Sequence, residues 1–182
     1  DLPPALHGQR LDDDVPELSI NDVVVDPENG TAIFTISLSL LSVKTITVDY
    51  GTSDGTADAL NDYTTASGTL TFAPMTATQS VSVSVLEDTI DEYDETFFLD
   101  LSSAVHATIA DAQGQATITD DDALPSMTID DVVVDPEEGT AVFTVSLSTA
   151  SEKTIAVDYT TTDGTAVAGD DYTTTAGTII LT

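Results

Sequence analysis

Six carboxylates occupy nine positions in Glu87-Asp88-Thr89-Ile90-Asp91-Glu92-Tyr93-Asp94-Glu95, and a second cluster, Asp120-Asp121-Asp122, follows downstream. Side chains so alike in charge repel one another unless something cationic lies among them. The chain has only three basic residues, Arg10, Lys44 and Lys153, too few to neutralise the segment from within. A hard divalent cation can do so. Ca²⁺ takes about six to eight oxygen ligands and tolerates mixed carboxylate and carbonyl geometry, which suits such a crowd. Gathering carboxylates without a cation raises the cost of ionising them, so a bound ion is expected to stabilise the folded state by mass action. Its removal is expected to loosen residues 87–95 and the joint to the next domain while the core stays folded.

Composition narrows the alternatives. With 33 acids against 3 basic residues the formal net charge is -30, which works against nucleic acids and anionic membrane surfaces, since both want a basic footprint. High charge accompanies disorder only when hydrophobicity is low, and here apolar residues make up 41% in periodic runs. An acidic surface adapted to high salt accounts for the total charge but not for its clustering. The absence of cysteine removes disulfides, thiol nucleophiles and thiolate metal sites. No apolar run is long enough to span a membrane, and Asp1-Leu2-Pro3-Pro4 lacks the start of a signal peptide.

Catalysis finds little support. His7 and His106 sit in undistinguished contexts, and there is no G-x-S-x-G, H-E-x-x-H or phosphate-binding glycine loop. Paired carboxylates perform glycoside hydrolysis, but acids this crowded favour metal capture over an acid/base pair. The segment also lacks the glycine of an EF-hand loop and the nonapeptides of a calcium-binding β-roll. The sequence predicts that the protein is not an enzyme.

The elements that must position these acids repeat. Residues 17–73 align without a gap onto 126–182, with 35 of 57 positions identical. Asp22-Val23-Val24-Val25-Asp26-Pro27-Glu28 recurs as Asp131-Val132-Val133-Val134-Asp135-Pro136-Glu137, and Asp54-Gly55-Thr56-Ala57 as Asp163-Gly164-Thr165-Ala166. A shift of 109 is a whole domain rather than a solenoid unit. Asp12-Asp13-Asp14-Val15-Pro16 resembles Asp120-Asp121-Asp122-Ala123-Leu124-Pro125, so residues 1–14 are read as a remnant of a preceding domain or linker. Residues 15–122 are one complete domain. Residues 123–182 are the N-terminal half of a second, truncated one, since Thr182 matches Ala73 and nothing corresponds to 74–122. The linker at 122–125 is very short and is expected to limit interdomain freedom. An exposed half-core invites self-association or strand exchange.

Within the complete domain the alternation has the period of strands. Ala32, Phe34, Ile36, Leu38 and Leu40 share one face; Ile46, Val48 and Tyr50 another. Leu70 with Phe72, then Val81, Val83 and Val85, then Phe97, Leu99 and Leu101, and finally Ala116 with Ile118 follow. Threonine-rich intervening positions suit a wet face. Asn29-Gly30 is expected to supply the positive φ of a tight hairpin. About seven strands make an all-β, antiparallel two-sheet sandwich. Asp54 and Asp163 read as turn formers, and Tyr63 and Tyr172 as structural anchors. Glu28, Asp62, Glu87, Asp88 and Asp120-Asp121-Asp122 all lie at strand ends, where convergence on one pole is plausible.

The parts and their order resemble the Calx-beta domain, the module repeated in the regulatory region of sodium/calcium exchangers and in large bacterial surface or secreted proteins. The resemblance rests on Asp54-Gly55-Thr56-Ala57 leading to Asn61-Asp62-Tyr63, then Gly68-Thr69-Leu70-Thr71-Phe72. It continues through Glu92 and Glu95 into Phe97-Phe98-Leu99-Asp100-Leu101-Ser102 and ends at Ala116-Thr117-Ile118-Thr119-Asp120-Asp121-Asp122. It implies an immunoglobulin-like sandwich, here in tandem, with Ca²⁺ bound at one pole near the neighbouring Calx-beta-like domain. The ligands it implies are Glu28, Asp62, Glu87, Asp88, the backbone carbonyl of Ile90, Glu92, Glu95, Asp120, Asp121 and Asp122. Glu87 departs from the aspartate that begins this loop in the best calcium-binding members, which leaves the number of ions open. Copy two keeps Glu137 and Asp171 but has no acidic loop, so it forms no full site alone. Two functions stay in play. One is a calcium-binding structural or regulatory module that rigidifies the pole and junction. The other is an adhesive or spacer sandwich without specific calcium binding. Near-identical tandem units favour a bacterial surface or secreted parent, placed outside the cell or on its surface, with a cytoplasmic location left open.

Overall fold

The structure, a computed structural model, describes residues 14–135 and 139–182. Among them the chain forms two compact units. One runs to Asp88 and resumes over Asp94–Asp121; the other comprises Thr89–Tyr93 and Asp122–Thr182.

The first unit holds β1 (Glu17–Ile20), β2 (Val23–Val25), β3 (Thr31–Leu38), β4 (Ile46–Asp54), β5 (Ser67–Phe72), β6 (Thr78–Ser84), β7 (Glu95–Val105), β8 (Thr108–Ile109) and β9 (Gln113–Ile118). Four strands form a sheet in the order β6-β3-β1-β8, and five form a second in the order β2-β9-β7-β4-β5. This is an immunoglobulin-like β-sandwich. Alternation does the sorting: Leu18, Phe34, Ile36, Val81 and Val83 point inward from one sheet, and Ile46, Val48, Phe72, Phe97 and Leu99 from the other. Burying an aromatic or branched side chain is worth about 1.5–3 kcal/mol each, so this seam dominates the stability of the unit. At its centre Phe97 stacks on Tyr63 at 4.1 Å and meets Phe34 edge-on at 6.1 Å.

The first apolar run changes sheets. β1 pairs antiparallel with β3 and parallel with β8, whereas β2 pairs parallel with β9. Asn21 and Asp22 make the crossing. The Asn21 Oδ1 accepts the Thr35 N–H at 2.6 Å on one sheet, and the Asp22 Oδ1 accepts the Gln115 N–H at 2.8 Å on the other. Each side chain stands in for a backbone carbonyl where the strand breaks.

This crossing changes two expectations. Asn29-Gly30 joins strands of different sheets and closes no hairpin, and neither residue has a positive φ. Gly30 is needed for proximity instead, because a Cβ there would stand 2.7 Å from the Val25 Cγ1. β3 also ends at Leu38, leaving Leu40 exposed rather than on the core face.

The second unit contains β10 (Met127–Ile129), β11 (Val145–Leu147), β12 (Ile155–Thr160) and β13 (Ala176–Leu181), paired β10-β11 and β12-β13. The registers repeat those of the first. Met127 faces Leu147 as Leu18 faces Leu38, and Ile155 faces Leu181 as Ile46 faces Phe72. Asp130 accepts the Thr144 N–H at 2.6 Å, in the role of Asn21.

Candidate metal centre

The connection from β4 to β5 is built around one buried tyrosine. The Asp54 Oδ1 accepts the Ala59 N–H at 3.1 Å and the Tyr63 hydroxyl at 2.5 Å, closing the turn as its sequence predicts. Burial first, and the hydrogen bond to Asp54 second, raise the Tyr63 hydroxyl well above the usual phenol range. Backbone bonds then lash this connection to the end of β6: the Thr64 N–H donates to the Ser84 carbonyl and the Leu86 N–H to the Asp62 carbonyl, each at 2.9 Å. Asp62 therefore stands where the acidic segment begins. Its Oδ2 accepts the Asp58 N–H at 2.5 Å, which orients the carboxylate.

Glu28 reaches the same end from the β2–β3 connection. It is buried, at 5% exposure. Its Oε1 accepts the Asp88 N–H and its own N–H donates to the Asp121 Oδ1, both at 3.4 Å. The Asp120 N–H donates to the Asp94 Oδ1, also at 3.4 Å.

Two carboxylate pairs result within the first unit. Glu28 and Asp88 bring oxygens within 4.8 Å of one another, and so do Asp62 and Glu95. Oxygens bound to Ca²⁺ at about 2.3–2.6 Å lie at most roughly 5 Å apart, when they are on opposite sides of the ion, so the spacing suits one ion per pair. Glu28 is buried, Asp62 and Glu95 are half-buried and Asp88 is exposed. Donor type and spacing fit a hard divalent cation.

Four of the ten sequence-derived ligands fall in these pairs. Of the rest, Glu87 is exposed, Asp120 and Asp121 make the hydrogen bonds just described, and Ile90, Glu92 and Asp122 are half-buried residues of the second unit. In the second copy the Asp171 Oδ2 accepts the Val167 N–H at 2.8 Å, reproducing the Asp62 turn. Glu137 lies outside the described residues. Among the described residues of that copy, no three acids gather.

One acid has a different fate. Asp91 is 2% exposed, and within the second unit it is held by three consecutive residues. The Ser151 hydroxyl donates to the Asp91 Oδ2 at 2.8 Å, the Glu152 N–H to the Asp91 carbonyl at 3.1 Å, and the Lys153 Nζ to the Asp91 Oδ1 at 2.7 Å. The Lys153 ammonium also lies 5.4 Å from the Tyr93 ring centroid. Hydrogen bonds from Lys153 and then Ser151 hold the Asp91 carboxyl below the usual range. The expectation that the basic residues leave the segment wholly unneutralised is therefore corrected at Asp91. A signal was present in the sequence: Ser42-Val43-Lys44 recurs as Ser151-Glu152-Lys153.

Comparison with known proteins bears on this arrangement. The Calx-beta domain family matches residues 12–124 and again 120–181, and Glu28, Asp62, Asp88 and Glu95 fall within the first match. Sodium/calcium exchanger 2 of rat, and likewise of human, is 32% identical over 148 residues, covering 69% of this chain. Sodium/calcium exchanger 1 of cat is 28% identical over 161 residues, covering 74%. The chain spans only 16–17% of the length of these relatives. Among solved structures, the apo form of the Calx CBD1 domain superposes with a TM-score of 0.56 at 25% identity, covering 60% of this chain and all of that one. The calcium binding domain CBD12 of CALX1.1 superposes with a TM-score of 0.56 at 24% identity, covering 90% of this chain and 69% of that one. Calx-beta domains are non-catalytic structural modules. With both copies matched and the sandwich reproduced, the chain belongs to the Calx-beta domain family, in tandem.

Proposed function

We propose that the chain is a calcium-binding structural and regulatory module whose ions rigidify the acidic pole of the first copy and its junction with the next. The observation that carries this reading is the approach of Glu28 to Asp88 and of Asp62 to Glu95 within the first unit. Likeness to sodium/calcium exchangers and to a structure described as a calcium binding domain supports it. These four acids are the inner ligands. The other ligands that the sequence implies complete coordination once an ion draws the segment inward, since two carboxylates fall short of the oxygens that Ca²⁺ takes. Neutralising the paired acids removes the repulsion between them.

The test is calorimetric Ca²⁺ titration of the chelator-stripped chain, with Mg²⁺ as competitor. Saturable heat is expected, and it should be weakened by Asp88→Asn in one pair and by Asp62→Asn in the other. Absence of heat with an unchanged melting temperature would leave the alternative, an adhesive or spacer sandwich.

Two wider readings belong with this one. Repetition of the unit, with 35 of 57 positions identical, supports a large parent protein at the surface of a bacterium or secreted from it; immunogold labelling of intact cells tests that location. The exposed apolar residues of the second copy that match core positions of the first, Ile129 and Phe143, both more than half exposed, support self-association. Light scattering across a concentration series decides it.

A further inference from the structure

The contact at Asp91 is made by a turn that occurs twice. In the second copy the Lys153 N–H donates to the Ser151 Oγ at 3.1 Å, and the Ser126 N–H donates to the Ser148 Oγ at 2.9 Å. In the first copy the Lys44 N–H donates to the Ser42 Oγ at 3.0 Å, and the Glu17 N–H donates to the Ser39 Oγ at 2.9 Å. Every position differs by 109, and so do the positions of the donors that grip Asp91. A hydroxyl, a backbone N–H and an ammonium on three consecutive residues form the receptor. Ser42, Val43 and Lys44 carry the same three groups.

The first-copy turn borders a groove of about 250 Å³ whose lining includes Asp14, Pro16, Ser42, Lys44 and His106. On a chain of net charge -30 it brings Lys44 together with a histidine whose Nδ1 lies 2.9 Å from the Thr45 carbonyl. The residues leading into each copy also match, Asp12–Pro16 resembling Asp120–Pro125.

We propose that the Ser42–Lys44 turn is a carboxylate receptor that holds an aspartate from the acidic loop of a preceding copy of the repeat, as Ser151–Lys153 holds Asp91. The receptor takes a side-chain carboxylate on the hydroxyl and ammonium, and the main-chain carbonyl of the same aspartate on the N–H of Val43. Lys44 already makes contacts of its own, so an incoming carboxylate competes for it. Such a contact is weak between separate molecules and populated when a short linker supplies a high effective concentration. The inference does not rest on calcium binding, because Asp91 is not among the candidate ligands.

The experiment uses the full chain lengthened by one period, residues 1–124 followed directly by residues 16–182, so that an intact first copy precedes another. Amide exchange is followed in the leading copy's loop, at the residue equivalent to Asp91 and its neighbours. Lys44→Ala in the receiving copy is expected to speed exchange there about fivefold, the range of one exposed ion pair. Ser42→Ala should act in the same direction, and Lys153→Ala should leave that loop unchanged. Equal exchange with and without Lys44, while core amides of β3 and β7 stay protected in both chains, would overturn the proposal.

Discussion

Phe34 and Phe143 occupy the same place in the repeat, yet Phe34 is wholly buried and Phe143 is 52% exposed. The sequences around them are alike, but Phe34 lies within β3, paired with Val81, whereas Phe143 precedes β11, whose short register with β10 repeats that of β3 with β1. What differs is the company each strand keeps. β3 lies between β1 and β6, and β4 between β5 and β7, whereas β11 and β12 each pair on one side only among the described residues. Local sequence sets the pairing of neighbouring strands, but a core exists only when distant strands close over it. The acidic pole obeys the same rule. Its paired acids, Glu28 with Asp88 and Asp62 with Glu95, come from four separate stretches of the first unit, and among the described residues of the second copy, which has the Asp62 turn but no acidic loop, no three acids gather.

The largest expected effect comes from core truncation. Phe34→Ala should destabilise the chain by about 3–5 kcal/mol, and Phe143→Ala by under about 1 kcal/mol, as read from urea unfolding. Similar losses for both would mean that the second copy is covered in solution. Next comes calcium. At about a hundredfold excess over Kd, one bound ion adds about 2.7 kcal/mol, and this should appear only in the unfolding transition that exposes Phe34 and Phe97. Asp88→Asn should shrink it. An equal shift in both copies would break the comparison at the pole.

The shared Asp–Tyr turn gives a finer probe. Tyr63→Phe loses a hydrogen bond worth about 1 kcal/mol at the edge of the core; Tyr172→Phe, whose hydroxyl donates to the Asp163 Oδ1 at 2.7 Å on an exposed turn, should cost less. Guanidinium unfolding monitored by near-ultraviolet dichroism checks both. The smallest effect is electrostatic. Both hydroxyls are raised, Tyr63 chiefly by burial and Tyr172 chiefly by its bond to Asp163. A raised folded value contributes stability that is fully present below the unfolded value of about 10 and is lost as pH rises through the folded one. Tyrosinate absorbance should therefore show Tyr172 ionising before Tyr63, with Tyr63 following only as the first sandwich opens. Variants carrying each Tyr→Phe change assign the two steps.

Strands were legible because alternation is local: the faces of Phe34/Ile36, Val81/Val83 and Phe97/Leu99 can be read residue by residue. The sheet change at Asn21-Asp22 was not. Ile20 and Val25 are both buried, and nothing in an apolar run announces that its two halves belong to different sheets. The clue is a pair of short polar side chains able to replace backbone acceptors. Reading Asn29-Gly30 as a hairpin failed for the same reason, since the turn signal was correct and its strands were not partners. At the site, acids at strand ends are enough to single out Glu28, Asp62 and Asp88 as candidates, of which Glu28 and Asp88 come together. Asp91 was missed because the segment was treated as one uniform charge, when its neutralisation depends on a lysine 62 residues away.

The parallel pairing of β2 with β9 has a mechanical consequence. β2 lies near the point where the chain enters the first copy, and β9 where it leaves, and the two run side by side in the same direction. Tension drawn through the chain would pull them past each other along their length, so their cross-strand bonds would be loaded together rather than peeled one at a time. The short β1–β8 pairing adds a second such fastening in the opposite sheet. A string of such modules would yield abruptly, domain by domain, and hold its length until each one gave way.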